Sequence, residues 1–254
     1  MSTNRGAKNN PLLAASRADR NRTILIQVAV AVVLIALIAA IGIGIAVKKS
    51  EKDAPGATPQ IPAGTADVPA SLTDNGSIRL GKPDAKATVR VVADLQCPAC
   101  QGFEGANAKV IEDAVHNGTA AVEYNLIAFL DKSSSTQYSS RAANASYCVA
   151  ESDPAKYLTW LTSMYTQQPP EGGAGLTDEQ LIQIAEQNGY TDPGVAQCIT
   201  DRKFDKYVQA RTQEALGSGI KSTPSVFING KQLENSQDLF TPGGIAPAIA
   251  AAAK

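Results

Sequence analysis

The apolar positions of this chain fall into three regimes. From Ile24 to Val47 they run without a charge, and Gln27 is the one strongly polar side chain. At about 1.5 Å rise per residue the segment reaches roughly 36 Å, enough to cross a bilayer's hydrocarbon core with some tilt. The second regime is short and dense. Ala87–Ala93 and Thr119–Leu130 read as buried strands, and Ser225–Ile228 as a shorter one. In the third regime apolar residues recur every three or four positions. Phe103, Ala106, Val110, Ile111 and Ala114 place a helix after residue 97 that runs to His116, where Asn117-Gly118 stops it. Further helical stretches follow at Arg141–Ala150, Ala155–Thr166, Asp178–Gln187, Pro193–Thr200 and Asp201–Leu216. Thr177 with Gln180 has capping-box spacing, and Asn229-Gly230 signals a type I′ hairpin between Ser225–Ile228 and Lys231–Leu233. Thr241-Pro242 opens a final helix.

The resulting order is β-α-β, a helical insertion at about residues 133–216, then β-β-α. This predicts one α/β domain over residues 71–254, interrupted in the middle and large enough for a single core. Residues 48–70 turn to Pro, Ala, Gly and Thr and read as a flexible linker. Arg5, Lys8, Arg17, Arg20 and Arg22 precede the apolar span, so residues 1–23 read as a cytoplasmic tail and everything after the span as extracytoplasmic. A cleaved signal peptide is the alternative, but its apolar core is shorter than residues 24–47 and ends in a small-residue cleavage site. The reading is therefore a single-pass signal-anchor in the cell membrane. The formal net charge of −1 leaves no basic patch suited to nucleic acid.

All four cysteines lie beyond the span, which fits an oxidising compartment. Cys97-Pro98-Ala99-Cys100 sits where the first strand hands over to its helix. Unpaired N–H groups at a helix start stabilise a thiolate, so Cys97 is the candidate nucleophile. Cys100, one turn inward, is the candidate resolving thiol. A zinc site would need more ligands than these two cysteines and the single histidine, His116, at the far end of the helix. Three pairings of four cysteines are possible. If Cys97 pairs with Cys100, then Cys148 and Cys198 remain, in separate helical stretches, as a structural disulfide; a second redox pair or free core thiols are the alternatives. Trp160, with Leu158, Leu161 and Met164, reads as core, and His116 as an exposed helix end. Asn117-Gly-Thr and Asn144-Ala-Ser match the glycosylation acceptor pattern.

Gly81-Lys82-Pro83-Asp84-Ala85, Asp94-Leu95-Gln96-Cys97-Pro98-Ala99-Cys100 with Phe103-Glu104, and Ser222-Thr223-Pro224-Ser225-Val226-Phe227-Ile228-Asn229-Gly230 together resemble DsbA-like thiol-disulfide oxidoreductases of the thioredoxin superfamily. The anchored form with a cysteine pair in the insertion is similar to the actinobacterial type. The resemblance implies a thioredoxin fold with an inserted helical domain, a redox-active Cys97–Cys100 pair, and a cis-proline at Thr223-Pro224 that receives substrate. It implies no cofactor, reduced or unfolded exported proteins as substrates, and recharging by an integral membrane oxidase of vitamin K epoxide reductase type. Two departures stand out. Val91 occupies a strand position where many members carry an acid, and Ala99 supplies no imidazolium between the cysteines. Asp94 is the nearest carboxylate, facing the sulfurs or capping the helix. An oxidase that introduces disulfides is the leading reading; an isomerase or reductase using the same pair, and a non-enzymatic binding module, are the alternatives.

Overall fold

The computed structural model describes residues 56–254 except residue 235. The tail, the apolar span of residues 24–47 and the start of the linker lie outside the described residues. Among those described, no helix is long and apolar enough to cross a membrane.

Six strands form one mixed sheet: β1 (Ala70–Leu72), β2 (Ile78–Leu80), β3 (Ala87–Ala93), β4 (Ala120–Leu126), β5 (Ser225–Ile228) and β6 (Lys231–Gln232), in the order β1-β2-β4-β3-β5-β6. Its centre is the parallel β3–β4 pair, with Val89 opposite Val122 and Val91 opposite Tyr124. β3 connects to β4 through α1 (Pro98–His116), so this helix starts at the carboxyl end of a central strand. The insertion supplies α2 (Tyr138–Ser152), α3 (Tyr157–Thr166), α4 (Asp178–Gln187), α5 (Pro193–Thr200) and α6 (Asp205–Gly217). Of these, α3 packs along α1, while α2 packs against α5 and α6. After β6 come the short α7 (Ser236–Phe240), which meets α1, and α8 (Ala246–Ala252), which packs on β3 and β5.

Local sequence explains most of these elements. The capping box at α4 is formed in full: Gln180 N–H donates to Thr177 Oγ1 at 3.3 Å and Thr177 N–H to Gln180 Oε1 at 2.8 Å. Asn229 and Gly230 both take positive φ, as a type I′ turn requires. Asn229 also locks the hairpin to β3, since its Oδ1 accepts from Thr88 N–H at 2.8 Å. Trp160 is fully buried among the insertion's aromatics, and His116 is exposed at the end of α1.

Several expectations need correction. The strand expected over residues 119–130 ends at Leu126, because Leu130 N–H turns away to Asp94 Oδ2 at 2.8 Å and a 3-10 turn follows at Asp131–Ser133. The final helix starts at Ala246, not beside Pro242; Gly243 at φ +69 and Gly244, tight against the Asp238 backbone, make a turn first. β1, β2 and α7 have three, three and five residues, too short for periodicity to show. The expected helix at Asp201–Leu216 begins with a turn in which Arg202 has φ +51.

The linker also ends earlier than residue 70. From Gly56 onward the chain lies against the domain: Pro59 and Val68 are buried, Gln60 N–H donates to Glu151 Oε1 at 3.0 Å, and Ala70 N–H donates to Ala63 O at 2.9 Å. Asn144 is no glycan acceptor. It is fully buried, its Nδ2 donates to Cys198 O and Ile199 O, and its Oδ1 accepts from Phe204 N–H at 2.8 Å.

Candidate active site

β3 delivers the chain into α1 through Asp94-Leu95-Gln96, and Cys97 occupies the N-cap with extended backbone angles (φ −78, ψ 118). Pro98 follows at the first helical turn, where its missing N–H costs nothing and its fixed φ suits the helix. No side chain caps this helix and no acid lies in its first turn. The helix end is therefore free to act on sulfur. Both active-site thiols are reduced and buried. Cys100 N–H and Gln101 N–H close the first turn onto Cys97 O at 3.0 and 3.2 Å.

The two sulfurs are driven in opposite directions. The Cys97 thiol is lowered to about 6 by the donating Cys100 thiol, then by Thr223 and the backbone N–H groups of Cys100 and Ala99, against a desolvation penalty. Cys100 is pushed well above the ordinary thiol value by burial and by the neighbouring Cys97 sulfur, despite a hydrogen bond from Asp94 N–H at 3.5 Å. One sulfur is a ready thiolate and the other holds its proton.

The Thr223–Pro224 bond is cis, and Thr223 O accepts from Cys97 Sγ at 3.3 Å. The loop before β5 thus faces the nucleophile across a gap of 126 residues in sequence. Cys148 and Cys198 form a disulfide between α2 and α5, outside this site. Among the described residues no group of three or more His, Cys, Asp or Glu could hold a metal ion.

The Asp94 carboxyl lies near enough to Cys97 to feel its charge, but its hydrogen bonds go elsewhere and it does not cap α1. Its carboxylate accepts from Gln96 N–H, Ser139 Oγ and Leu130 N–H, each at 2.8 Å, so it ties the active-site loop to β4's exit and to α2. Burial raises its pKa to about 6 against these hydrogen bonds.

A second buried acid lies on the helix itself. Glu104 lies one turn beyond Cys100 on the same face of α1, beside Tyr124, the residue paired with Val91. Its burial raises it to about 7 although the Tyr124 hydroxyl donates to it, and its Oε1 has no partner. Crevices of about 190 and 140 Å³ between α1 and α3 reach it from the surface. Tyr165 stands beside both Cys100 and Glu104, its hydroxyl also unpartnered.

The family profile described as thioredoxin matches residues 73–241. The chain belongs to this thioredoxin family. Within it, DsbA from Mycobacterium tuberculosis is a structural neighbour, 28% identical with a TM-score of 0.54, covering 74% of this chain and all of that one. Disulfide bond formation protein D of Bacillus subtilis is 26% identical over 161 residues, 63% of this chain and 70% of its own. Serine/threonine-protein kinase PknE of M. tuberculosis is 32% identical over 173 residues, 65% of this chain; the match spans only 30% of the kinase. The thioredoxin fold accounts for the adjacency of Cys97 and Thr223. It does not by itself account for Glu104, whose position relative to Cys100 was visible in sequence but whose burial against Tyr124 was not.

The ionisation pattern predicts how stability depends on pH. Between about pH 6 and 9 native Cys97 has lost its proton while the unfolded thiol keeps it, so the unfolded state binds more protons and stability rises with pH. Asp94 and Glu104 act oppositely, at lower pH: their raised values make the folded state keep protons that the unfolded state has lost, so stability falls as pH rises from about 4 towards 7. The carboxylates are present in both redox forms, so a comparison of the two reads mainly the thiols. Denaturant titrations of the reduced and oxidised protein are expected to diverge in the reduced form's favour from about pH 6 to 8, above which Cys100, whose raised value makes the folded state keep a proton, opposes the trend. A pH-independent difference overturns the assignment.

Proposed function

We propose that this protein is a thiol-disulfide oxidoreductase that works as an oxidase, introducing disulfides into exported proteins on the extracytoplasmic side of a membrane to which residues 24–47 anchor it. The observation that carries the reading is the opposed ionisation of Cys97 and Cys100 at the N-terminus of α1. The family membership and the DsbA-type neighbour support it.

The reaction starts from the Cys97–Cys100 disulfide. A substrate thiolate attacks Cys97 Sγ, a substrate–Cys97 bond forms, and the Cys97–Cys100 bond breaks with its electron pair on Cys100. Cys100, held in a desolvated site, takes a proton. We assign Glu104, one turn further along the same helix and sharing Tyr165 as a neighbour with Cys100, as the donor: a carboxyl near 7 is partly protonated at neutral pH, and the crevices open its site to water. A second substrate thiolate then attacks the substrate's own sulfur in the mixed disulfide and releases Cys97 as a thiolate. The substrate leaves oxidised by two electrons and the protein remains reduced. Because Cys97 is stabilised as the thiolate, it is a good leaving group and the reduced form is favoured. The backbone at Thr223 pairs with the extended substrate chain. An integral membrane oxidase of vitamin K epoxide reductase type reoxidises the pair.

Equilibration with glutathione buffers tests the direction. The expected potential lies above the thioredoxin value of about −270 mV; a value at or below it overturns the oxidase reading in favour of a reductase. The Glu104→Gln variant is expected to slow reduction of the Cys97–Cys100 disulfide by about a hundredfold at pH 7, the lower end for loss of general-acid help. An unaltered rate with an unaltered pH profile removes Glu104 from the mechanism.

A further inference from the structure

The nucleophile's turn is gripped from the insertion by amide side chains. The Gln168 Nε2 has two hydrogens, and both are used: it donates to Leu95 O at 2.9 Å and to Cys97 O at 3.1 Å. Gln168 follows directly on the end of α3, so this contact joins the helical insertion to the thioredoxin core at the N-cap of α1. A second bridge runs the other way: Gln101, in the first turn of α1, donates from Nε2 at 2.7 Å to Tyr165 O, the same carbonyl that accepts from Gln168 N–H at 3.2 Å. Gln96, which lies between the two residues whose carbonyls Gln168 holds, makes further ties to the insertion. Its Nε2 donates to Leu130 O at 2.9 Å and Ser139 Oγ at 3.2 Å, while its Oε1 accepts from Gly172 N–H at 3.4 Å.

We infer that Gln168 is a positioning residue for the thiol-exchange reaction, through which the helical insertion sets the geometry and reactivity of Cys97. This rests on the exchange function proposed above. The physical argument has two parts. Cys97 O and Leu95 O are the negative ends of dipoles next to the nucleophile, and they work against a thiolate there. The Gln168 amide turns its positive end onto both and offsets that field. Cys97 O also accepts from Cys100 N–H and Gln101 N–H, so a donor on its outer side fixes the peptide plane that follows Cys97. That plane sets where the Ala99 and Cys100 N–H groups point relative to the Cys97 sulfur. Burial within the insertion rests on apolar side chains such as Trp160, Leu181 and Ile184, which are continuous with the core around Leu95 and Cys97 but make none of these hydrogen bonds.

The test is the pH dependence of Cys97 alkylation by iodoacetamide in the reduced full-length protein, which needs no substrate or partner. Gln168→Met keeps the side chain's length and removes both donors. Ile184→Val trims the insertion's core without touching the clamp and serves as the structural control. For Gln168→Met the inflection is expected to rise by about half a unit, a threefold loss of thiolate below the inflection, as for loss of neutral donors beside a charge. For Ile184→Val it stays at the wild-type position while the melting temperature falls. An unmoved inflection in Gln168→Met overturns the inference. So does an equal shift in Ile184→Val, which would show that loosening the insertion anywhere has the same effect. A wild-type inflection at the ordinary thiol value near 8.5 instead overturns the exchange function itself, a result distinguishable from failure of the clamp alone.

Discussion

Replacing Cys100 by serine is expected to turn the protein into a trap. The variant keeps the Cys97 thiolate, because the helix N–H groups and Thr223 still face it, and the serine hydroxyl replaces one donor. It therefore still attacks a disulfide in a client protein and forms a mixed disulfide on Cys97. In the native protein such an adduct is reversed by Cys100, which attacks Cys97 Sγ from one helical turn inward, re-forms the Cys97–Cys100 bond and expels the client as a thiolate. A serine hydroxyl has no thiolate to offer, so adducts accumulate towards one client per protein and turnover falls to the uncatalysed rate. Cys97→Ser is expected to lose turnover equally and to form no adduct, because the buried Cys100 keeps its proton and is a poor nucleophile. Non-reducing gels and mass spectrometry after acid quenching separate these cases. Adducts in Cys97→Ser, or none in Cys100→Ser, would reverse or abolish the division of labour between the sulfurs.

The asymmetry between two nearly adjacent cysteines was legible in sequence because it is local. A strand, two cysteines at helical spacing and a proline between them place one sulfur at the N-cap and the other inside. The Thr223-Pro224 loop was legible by its resemblance, which carried its pairing with Cys97 across the intervening helices. What escaped the sequence depends on contacts that no local pattern encodes. Asp94 lies three residues from Cys97 and was a fair candidate for the sulfurs, yet its carboxylate turns to Leu130 N–H and Ser139 Oγ, groups that only the folded insertion brings there. Gln168 stands in a Pro- and Gly-rich stretch between two helices, and its two acceptors are backbone carbonyls, which leave no mark in sequence. The docked segment from Gly56 was missed for a related reason. Its attachment runs through single hydrogen bonds such as Gln60 N–H to Glu151 and through buried Pro59 and Val68, none of which makes a periodic pattern.

Removing the second cysteine pair is expected to cost stability without removing exchange. Cys148 and Cys198 close a loop 50 residues apart and tie α2 to α5. In the loop-entropy view this is worth about 4 kcal/mol, a large share of the roughly 5–15 kcal/mol that holds an ordinary domain folded. Cys148→Ser/Cys198→Ser is thus expected to lose up to about 4 kcal/mol in urea titration while Cys97 alkylation keeps its inflection near 6. The loss is expected to fall on the insertion first, because Asn144, one turn before Cys148, also bonds Cys198 O. The native bond should resist reduction under conditions that open Cys97–Cys100. Cys198 is only 8% exposed, at the edge of a cleft of about 580 Å³ lined by Glu151, Asp192 and Asp201, with Lys203 paired to Glu151. A thiolate entering there meets net negative charge and no helix N-terminus free of its own acid, since Asp192 already caps α5. Cys97 has the opposite surroundings, an uncapped helix start with no acid in its first turn. The same bond type is therefore expected to be reactive at one helix and inert at the other. Stepwise titration with dithiothreitol, followed by thiol blocking and mass mapping, is expected to label Cys97 and Cys100 well before Cys148 and Cys198. Simultaneous labelling of all four would show that the second pair is no staple.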